Sequence, residues 1–310
     1  MDRHRPRFGS ATDLKSGFVS LFAGILLSEG ALSILNSACP VCDLKFITTN
    51  ETEMNMDEVK DVEEVKVFWA PGCSSCVRVK EFLADKEVTY TSVNVASDPA
   101  AMKFLATLGV RTIPVVVRGR DYVFAQSLDD VAKFVGVGHA ADRLPPAELV
   151  KRWTTILDVA TDVISRLPVE RLDTRPAARP RTIRDISNHI FQVPDAFLQT
   201  VIDGVEDWSV ITTETAPPGT DVPKILAYAE AQKKRLADWW RDLDDRSCTR
   251  ELKMFYGVHP MHVFLERSTW HSAQHTRQII SWADSQGVVL EKRLTSEVLT
   301  GLPLPRSLWE

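Results

Sequence analysis

The sequence predicts a small α/β domain followed by an all-α four-helix bundle. From about Val62, short β-branched and aromatic runs alternate with helix-patterned segments, and from Pro145 onward the apolar period is helical almost throughout. Each region also carries a chemical signature. Cys73-Ser74-Ser75-Cys76 lies in the first, and Trp270-His271-Ser272-Ala273-Gln274-His275-Thr276-Arg277-Gln278 in the second. At 310 residues, 44% of them hydrophobic and 25% charged, the chain has material for two cores. We divide it into an N-terminal segment, 1–61, the α/β domain, 62–138, and the bundle, 139–310.

In the first domain, Val65-Lys66-Val67-Phe68-Trp69 reads as a strand, Ala70-Pro71-Gly72 as a turn and Val77 to Ala84 as a helix. Val88 to Val95 is a second strand, and Asp98-Pro99 opens a helix that stops at Gly109. Ile113 to Val117 and Tyr122 to Ala125 form a hairpin around Gly119, and Ser127 caps a last helix, Leu128 to Val135. That element order is the thioredoxin-like one. The bundle's first helix buries Val150, Trp153, Ile156, Leu157, Ala160, Val163 and Ile164. Its second carries Ile183, Ile186, Ile190, Val193 and Phe197, and its third Val222, Leu226, Ala229, Leu236, Trp240 and Leu243. The fourth, from about Met261 to Gln286, aligns Phe264, Ser268, His271, His275, Gln278 and Trp282. The segment between Gly204 and Gly219 reads as a loop.

A net charge of -5 provides no basic field for nucleic acid, which excludes that class of partner. Five cysteines, as two CxxC pairs and a lone Cys248, suit redox or metal chemistry in a reducing compartment better than a disulfide scaffold. The expected location is the cytoplasm. Arg3, Arg5 and Arg7 do precede an apolar run, Gly17 to Leu27, but it is too short to span a bilayer and Glu29 interrupts any longer one. Export or anchoring through residues 17–33 is therefore the lesser reading. Cys39 and Cys42 could join Cys73 and Cys76 in a four-thiolate zinc site. The redox setting of the second pair argues against it, and we assign Cys39 and Cys42 no catalytic role.

Cys73 follows a strand and opens a helix, where the dipole and free backbone amides favour thiolate. Cys76, one turn on, can resolve a mixed disulfide formed at Cys73. Pro114 opens a strand and is expected to be cis, with neighbouring backbone free to pair with an extended thiol substrate. On these marks, with Thr112-Ile113-Pro114 and Asp129-Asp130, residues 62–138 resemble the glutaredoxin branch of the thioredoxin superfamily. The resemblance implies reduction of disulfides or glutathione mixed disulfides through Cys73, with Thr112, Ile113 and Asp129 contacting the thiol. Ser74-Ser75 and Gln126-Ser127 depart from the family pattern. Glutathione, another small thiol and a protein disulfide all stay open as substrates.

On a helix, His271 and His275 leave one face a turn apart, the spacing by which one helix grips one ion. His189 lies on an antecedent helix. Three neutral imidazoles leave a coordination position open, which suits catalysis better than a closed structural site. His4, His139, His259 and His262 have no comparable placement. Asp185 and Glu266 are candidates to orient the imidazoles; Trp239, Trp240 and Trp270 are candidates to line a pocket, with core packing the expected role of at least two of them.

Residues 140–310 resemble the DinB/YfiT-like four-helix-bundle superfamily in helix number, the position of His189, the His271-x-x-x-His275 motif followed by Gln278, and the tail Gly301 to Trp309. The resemblance implies a facial triad of His189, His271 and His275 for a divalent metal, with zinc foremost and nickel or iron as rivals. It also implies, for some members, isomerase or S-transferase chemistry on low-molecular-weight thiols. The combined expectation is a thiol-dependent metalloenzyme whose dithiol domain delivers or recycles the thiol, glutathione or an analogue. Its partners would be a small thiol and an electrophilic or disulfide substrate, with a homodimer left open and no membrane. Two other readings stand beside it: a thiol-disulfide oxidoreductase with a metal- or partner-binding bundle, and a non-enzymatic metal or redox sensor.

Overall fold

The structure, a computed structural model, describes residues 63–176 and 179–309. The apolar run at residues 17–33 and the Cys39–Cys42 pair lie outside the described residues.

Strands β1 (Val65–Trp69), β2 (Thr91–Asn94), β3 (Val115–Arg118) and β4 (Asp121–Phe124) form one sheet in the order β2-β1-β3-β4. β1 runs parallel to β2 and antiparallel to β3, so that Val67 stands between Ser92 and Val116. Successive side chains point to opposite faces. Val65, Val67 and Val116 pack on α1 (Ser74–Asp85) and α3 (Leu128–Val135) through Val79, Phe82, Leu83 and Val131. Phe68, Val115 and Val117 pack on the other side, with Ala101 and Leu105 of α2 (Pro99–Thr107). A sheet covered on both faces needs an unbroken apolar run, and Val115-Val116-Val117 supplies it. The caps are those the sequence marks. Asp98 accepts the amides of Ala100 and Ala101, Ser127 accepts that of Asp130, and Gly136 ends α3 at φ 79°. β2 is shorter than expected because Val88 closes the end of α1, its amide donating to the Leu83 carbonyl.

The bundle consists of α4 (Pro146–Ser165), α5 (Ile183–Asp203), α7 (Val222–Asp242) and α8 (Met261–Ser285), and one apolar cluster joins all four. The stripes of α4 and α5 are buried as expected. On α7, Val222, Ala229 and Leu236 are buried as expected and Ile225 and Trp239 join them, while Leu226, Trp240 and Leu243 are only half-buried. Three elements were not expected. A short helix, α6 (Ser209–Thr213), interrupts the Gly204–Gly219 loop, and the hairpin β5 (Glu251–Met254) with β6 (Gly257–Pro260) precedes α8. α9 (Ser296–Leu299), capped by Thr295, follows it.

α8 is buried on every side from Phe264 to Thr276, including the charged Glu266 and Arg267. One face belongs to the bundle, and the other meets the α/β domain. Arg143 joins Glu266 to Asp129, Arg267 Nε donates to Gln126 Oε1 at 3.0 Å, and Arg78 of α1 lies 4.8 Å from the Trp270 ring centre. Among the described residues no helix is long and apolar enough to cross a membrane.

Candidate metal and dithiol site

After β1 the chain reverses at Gly72, whose φ of 90° favours glycine. Cys73 then caps α1, its Sγ accepting the Cys76 amide at 3.1 Å, and the two cysteines are joined as a disulfide. Cys76 is wholly buried, whereas Cys73 lines a cavity of about 380 Å³. Thr112 and Ile113 line the same cavity beside the Ile113–Pro114 peptide, which is cis, while Pro114 itself is buried behind it. Asp129 is placed elsewhere. Its carboxylate pairs with Arg143 and lies 3.6 Å from His139 Nε2, and it does not line the cavity.

The opposite wall of the cavity is built by α5 and α8. Thr182 and Asp185 form a reciprocal cap at the start of α5, and His189 follows one turn later. The Nε2 atoms of His189 and His275 each lie 3.2 Å from His271 Nε2, and the three candidate ligand atoms lie within 4.8 Å of one another. Imidazoles sharing one tetrahedral ion at ~2.05 Å would hold their nitrogens about 3.3 Å apart.

The outer nitrogens fix the proton positions. Gln192 Nε2 donates to the Glu214 carbonyl and Gln278 Nε2 to the Leu308 carbonyl. Backbone carbonyls only accept, so each Gln Oε1 faces its histidine and takes the proton of His189 Nδ1 (3.2 Å) or His275 Nδ1 (2.8 Å). Both Nε2 atoms are therefore bare and point inward. His271 Nδ1 is buried without a partner among the described residues. Two lone pairs converging on a third ring nitrogen call for a cation among them, and this donor set fits a divalent ion.

Burial is the main cause holding all three imidazoles neutral. His189 and His271 titrate well below the ordinary histidine range, and His275 is pushed down to about 3 by burial and then by Arg181. The site keeps its ligands unprotonated across the physiological range.

A family model for glutaredoxin matches residues 65–123, and one for the DinB superfamily matches residues 140–279. The chain joins a glutaredoxin-like domain to a DinB-like bundle. Among solved structures, it is similar to the DinB-like protein YjoA of Bacillus subtilis, at 14% identity and a TM-score of 0.38 over 47% of this chain and 95% of that one. It is also similar to YfiT of Bacillus subtilis, described as a probable metal-dependent hydrolase with an unusual four-helix bundle topology. That match has 15% identity and a TM-score of 0.39 over 49% and 95%. A variant of a mycothiol-dependent maleylpyruvate isomerase aligns at 14% identity and a TM-score of 0.34, over 47% and 62%. No curated protein matches the chain.

Several residues at the site escaped the sequence. Asp185 and Glu266 do not reach the imidazoles, since Asp185 is spent on Thr182 and the Ala216 amide and Glu266 on Arg143. The orienting groups are Gln192, which the sequence did not single out, and Gln278, which it placed on the ligand face without this role; the signal for both is the twice-used spacing His189-x-x-Gln192 and His275-x-x-Gln278. Trp239, Trp240 and Trp270 do not line the cavity; Trp208 and Phe255 do, together with Arg179, Arg181 and Arg267. Trp208, Arg179 and Arg181 come from loops and Phe255 from the unexpected hairpin, which carry no periodic signal, whereas Arg267 is on α8.

Proposed function

We propose that the protein is a thiol-dependent metalloenzyme of the S-transferase or isomerase type, with a dithiol that delivers or recycles the thiol. The observation carrying this reading is that Cys73 and the three histidines line one cavity. A divalent ion on the triad would supply Lewis acidity and hold a small thiol as thiolate near neutral pH.

The chain's own residues do the rest. Gln192 and Gln278 keep two imidazoles presenting bare Nε2 atoms, and the buried setting excludes competing protons. Cys73, exposed to the cavity, is the attacking sulfur once the dithiol is reduced. Its thiolate displaces one thiol from a mixed disulfide, and Cys76 then attacks Cys73 and releases the second, leaving the Cys73–Cys76 disulfide. Thr112 and Ile113 flank the path of the incoming thiol. We place this cycle in the cytoplasm, where a CxxC pair is kept reducible.

Thiol-dependent conversion of an electrophile should fall at least about a hundredfold in His271→Ala, and recycling from the mixed disulfide should vanish in Cys73→Ser. Turnover that survives loss of His271 would refute the metalloenzyme reading. Were disulfide reduction the main activity, as the Cys73–Cys76 disulfide alone would suggest, His275→Ala would leave all measured activity intact.

A further inference from the structure

The charge lining the cavity is one-sided. Arg111, Arg179, Arg181 and Arg267 all face it, and none of the described residues lining it is Asp or Glu. Arg267 is the most informative of these. It is 7% exposed, its Nε donates to Gln126, and its guanidinium lies 4.1 Å from the centre of the Trp208 ring. Among the described residues no carboxylate lies within ion-pair distance of it, and its two terminal nitrogens have no hydrogen-bond partner. Arg143, at the same domain junction, differs: it holds both Asp129 and Glu266. A buried cation without an opposite charge is unfavourable, so the missing charge is expected from a ligand.

Position supports this. Arg267 precedes His271 by one turn on the same face of α8. Arg181, from the segment before α5, also lines the cavity and spends Nη2 on the Thr212 carbonyl; Asp185 acts on it electrostatically, but among the described residues no carboxylate lies at ion-pair distance from it. Both guanidinia act electrostatically on the triad. The rest of the lining includes the apolar side chains of Ile113, Met102, Trp208 and Phe255. A planar guanidinium fork matches an oxyanion through paired hydrogen bonds, and apolar walls take the body that carries it.

We propose that the substrate of this cavity is an organic anion, a carboxylate or phosphate monoester on an apolar body, whose charged group is held by Arg267 and Arg181. The proposal rests on reading the cavity as the substrate site.

The test is calorimetric titration of chelator-treated, metal-free protein with benzoate, with benzamide (alike in shape but uncharged) and with phenyl phosphate. One anion should bind about tenfold or more tightly than benzamide, and Arg267→Gln and Arg181→Gln should each cut that preference to about threefold or less. Arg267→Lys, which keeps the charge, should retain part of it and controls for folding at that buried position. The stronger of the two anions identifies a carboxylate or a phosphate as the recognised group. Equal binding of benzamide, or an anion preference unchanged in both glutamine variants, would overturn the proposal. Should metal uptake and thiol binding persist without any anion preference, this proposal alone falls. An arginine-dependent preference in a protein that takes up no metal would instead overturn the metalloenzyme reading alone.

Discussion

At the scale of single residues, the site depends on where three protons sit. Gln192 and Gln278 direct the Nδ1 protons of His189 and His275 outward and leave the inward nitrogens bare. Gln278→Ala should weaken zinc binding by about 10- to 100-fold, as loss of a ligand-orienting partner does elsewhere. Competition against a chromophoric chelator measures this, and unchanged affinity would show that the amide does not orient the ring. The same burial makes metal-free stability depend on pH. Each imidazole stays neutral in the folded chain below its ordinary value near 6.5, so in that window the unfolded chain binds more protons. Stability therefore rises with pH from the depressed folded values up to about 6.5 and is lost as pH falls through that window. Each histidine contributes about 1.4 kcal/mol per pH unit at most. Melting temperatures of metal-free protein between pH 4 and 7 should fall on acidification, and less steeply in His275→Ala.

At the scale of elements, what was legible was what repeats. The strands covered on both faces, the Asp98 and Ser127 caps and the stripes of α4 and α5 all follow from period and end signals. On α7, the doublets Ile225-Leu226 and Trp239-Trp240 offer two adjacent apolar faces, and packing rather than hydropathy decided between them. α6, α9 and the β5–β6 hairpin are only four or five residues each, too short to show a period. The histidine pair was legible because helix spacing alone aligns it. The arginines were not, because only the tertiary fold brings Arg181 and Arg267 to one cavity. The Thr182–Asp185 cap sets the start of α5 and so the position of His189. Asp185→Ala should cost about 1–2 kcal/mol in urea unfolding and also reduce metal affinity. A stability loss with metal affinity intact would separate the cap from the site.

At the scale of the whole molecule, α8 is the shared element. One face carries Arg267, His271 and His275 along the cavity, and beside it Glu266 and Trp270 meet residues at the junction with the glutaredoxin-like domain. The C-terminal tail adds a second tie: Arg306 pairs with Asp85 of α1, while the Leu308 carbonyl accepts from Gln278. Glu266 is buried, and burial raises its carboxyl above the usual range although Arg143 and Arg78 oppose this. Removing it in Glu266→Ala leaves Arg143 and Arg78 short of a carboxylate, at a cost of about 3–5 kcal/mol. Urea melts followed at both domains should show this loss in each. A loss confined to one domain would mean that the junction does not couple their folding.

The most direct test of a shared thiol and metal cavity is absorption spectroscopy of the cobalt(II)-substituted protein during titration with a small thiol. A thiolate-to-cobalt charge-transfer band should grow to one equivalent of thiol and be absent in His271→Ala. If cobalt binds to the triad and saturating thiol produces no such band, the metal does not hold the thiol, and the proposed chemistry is wrong.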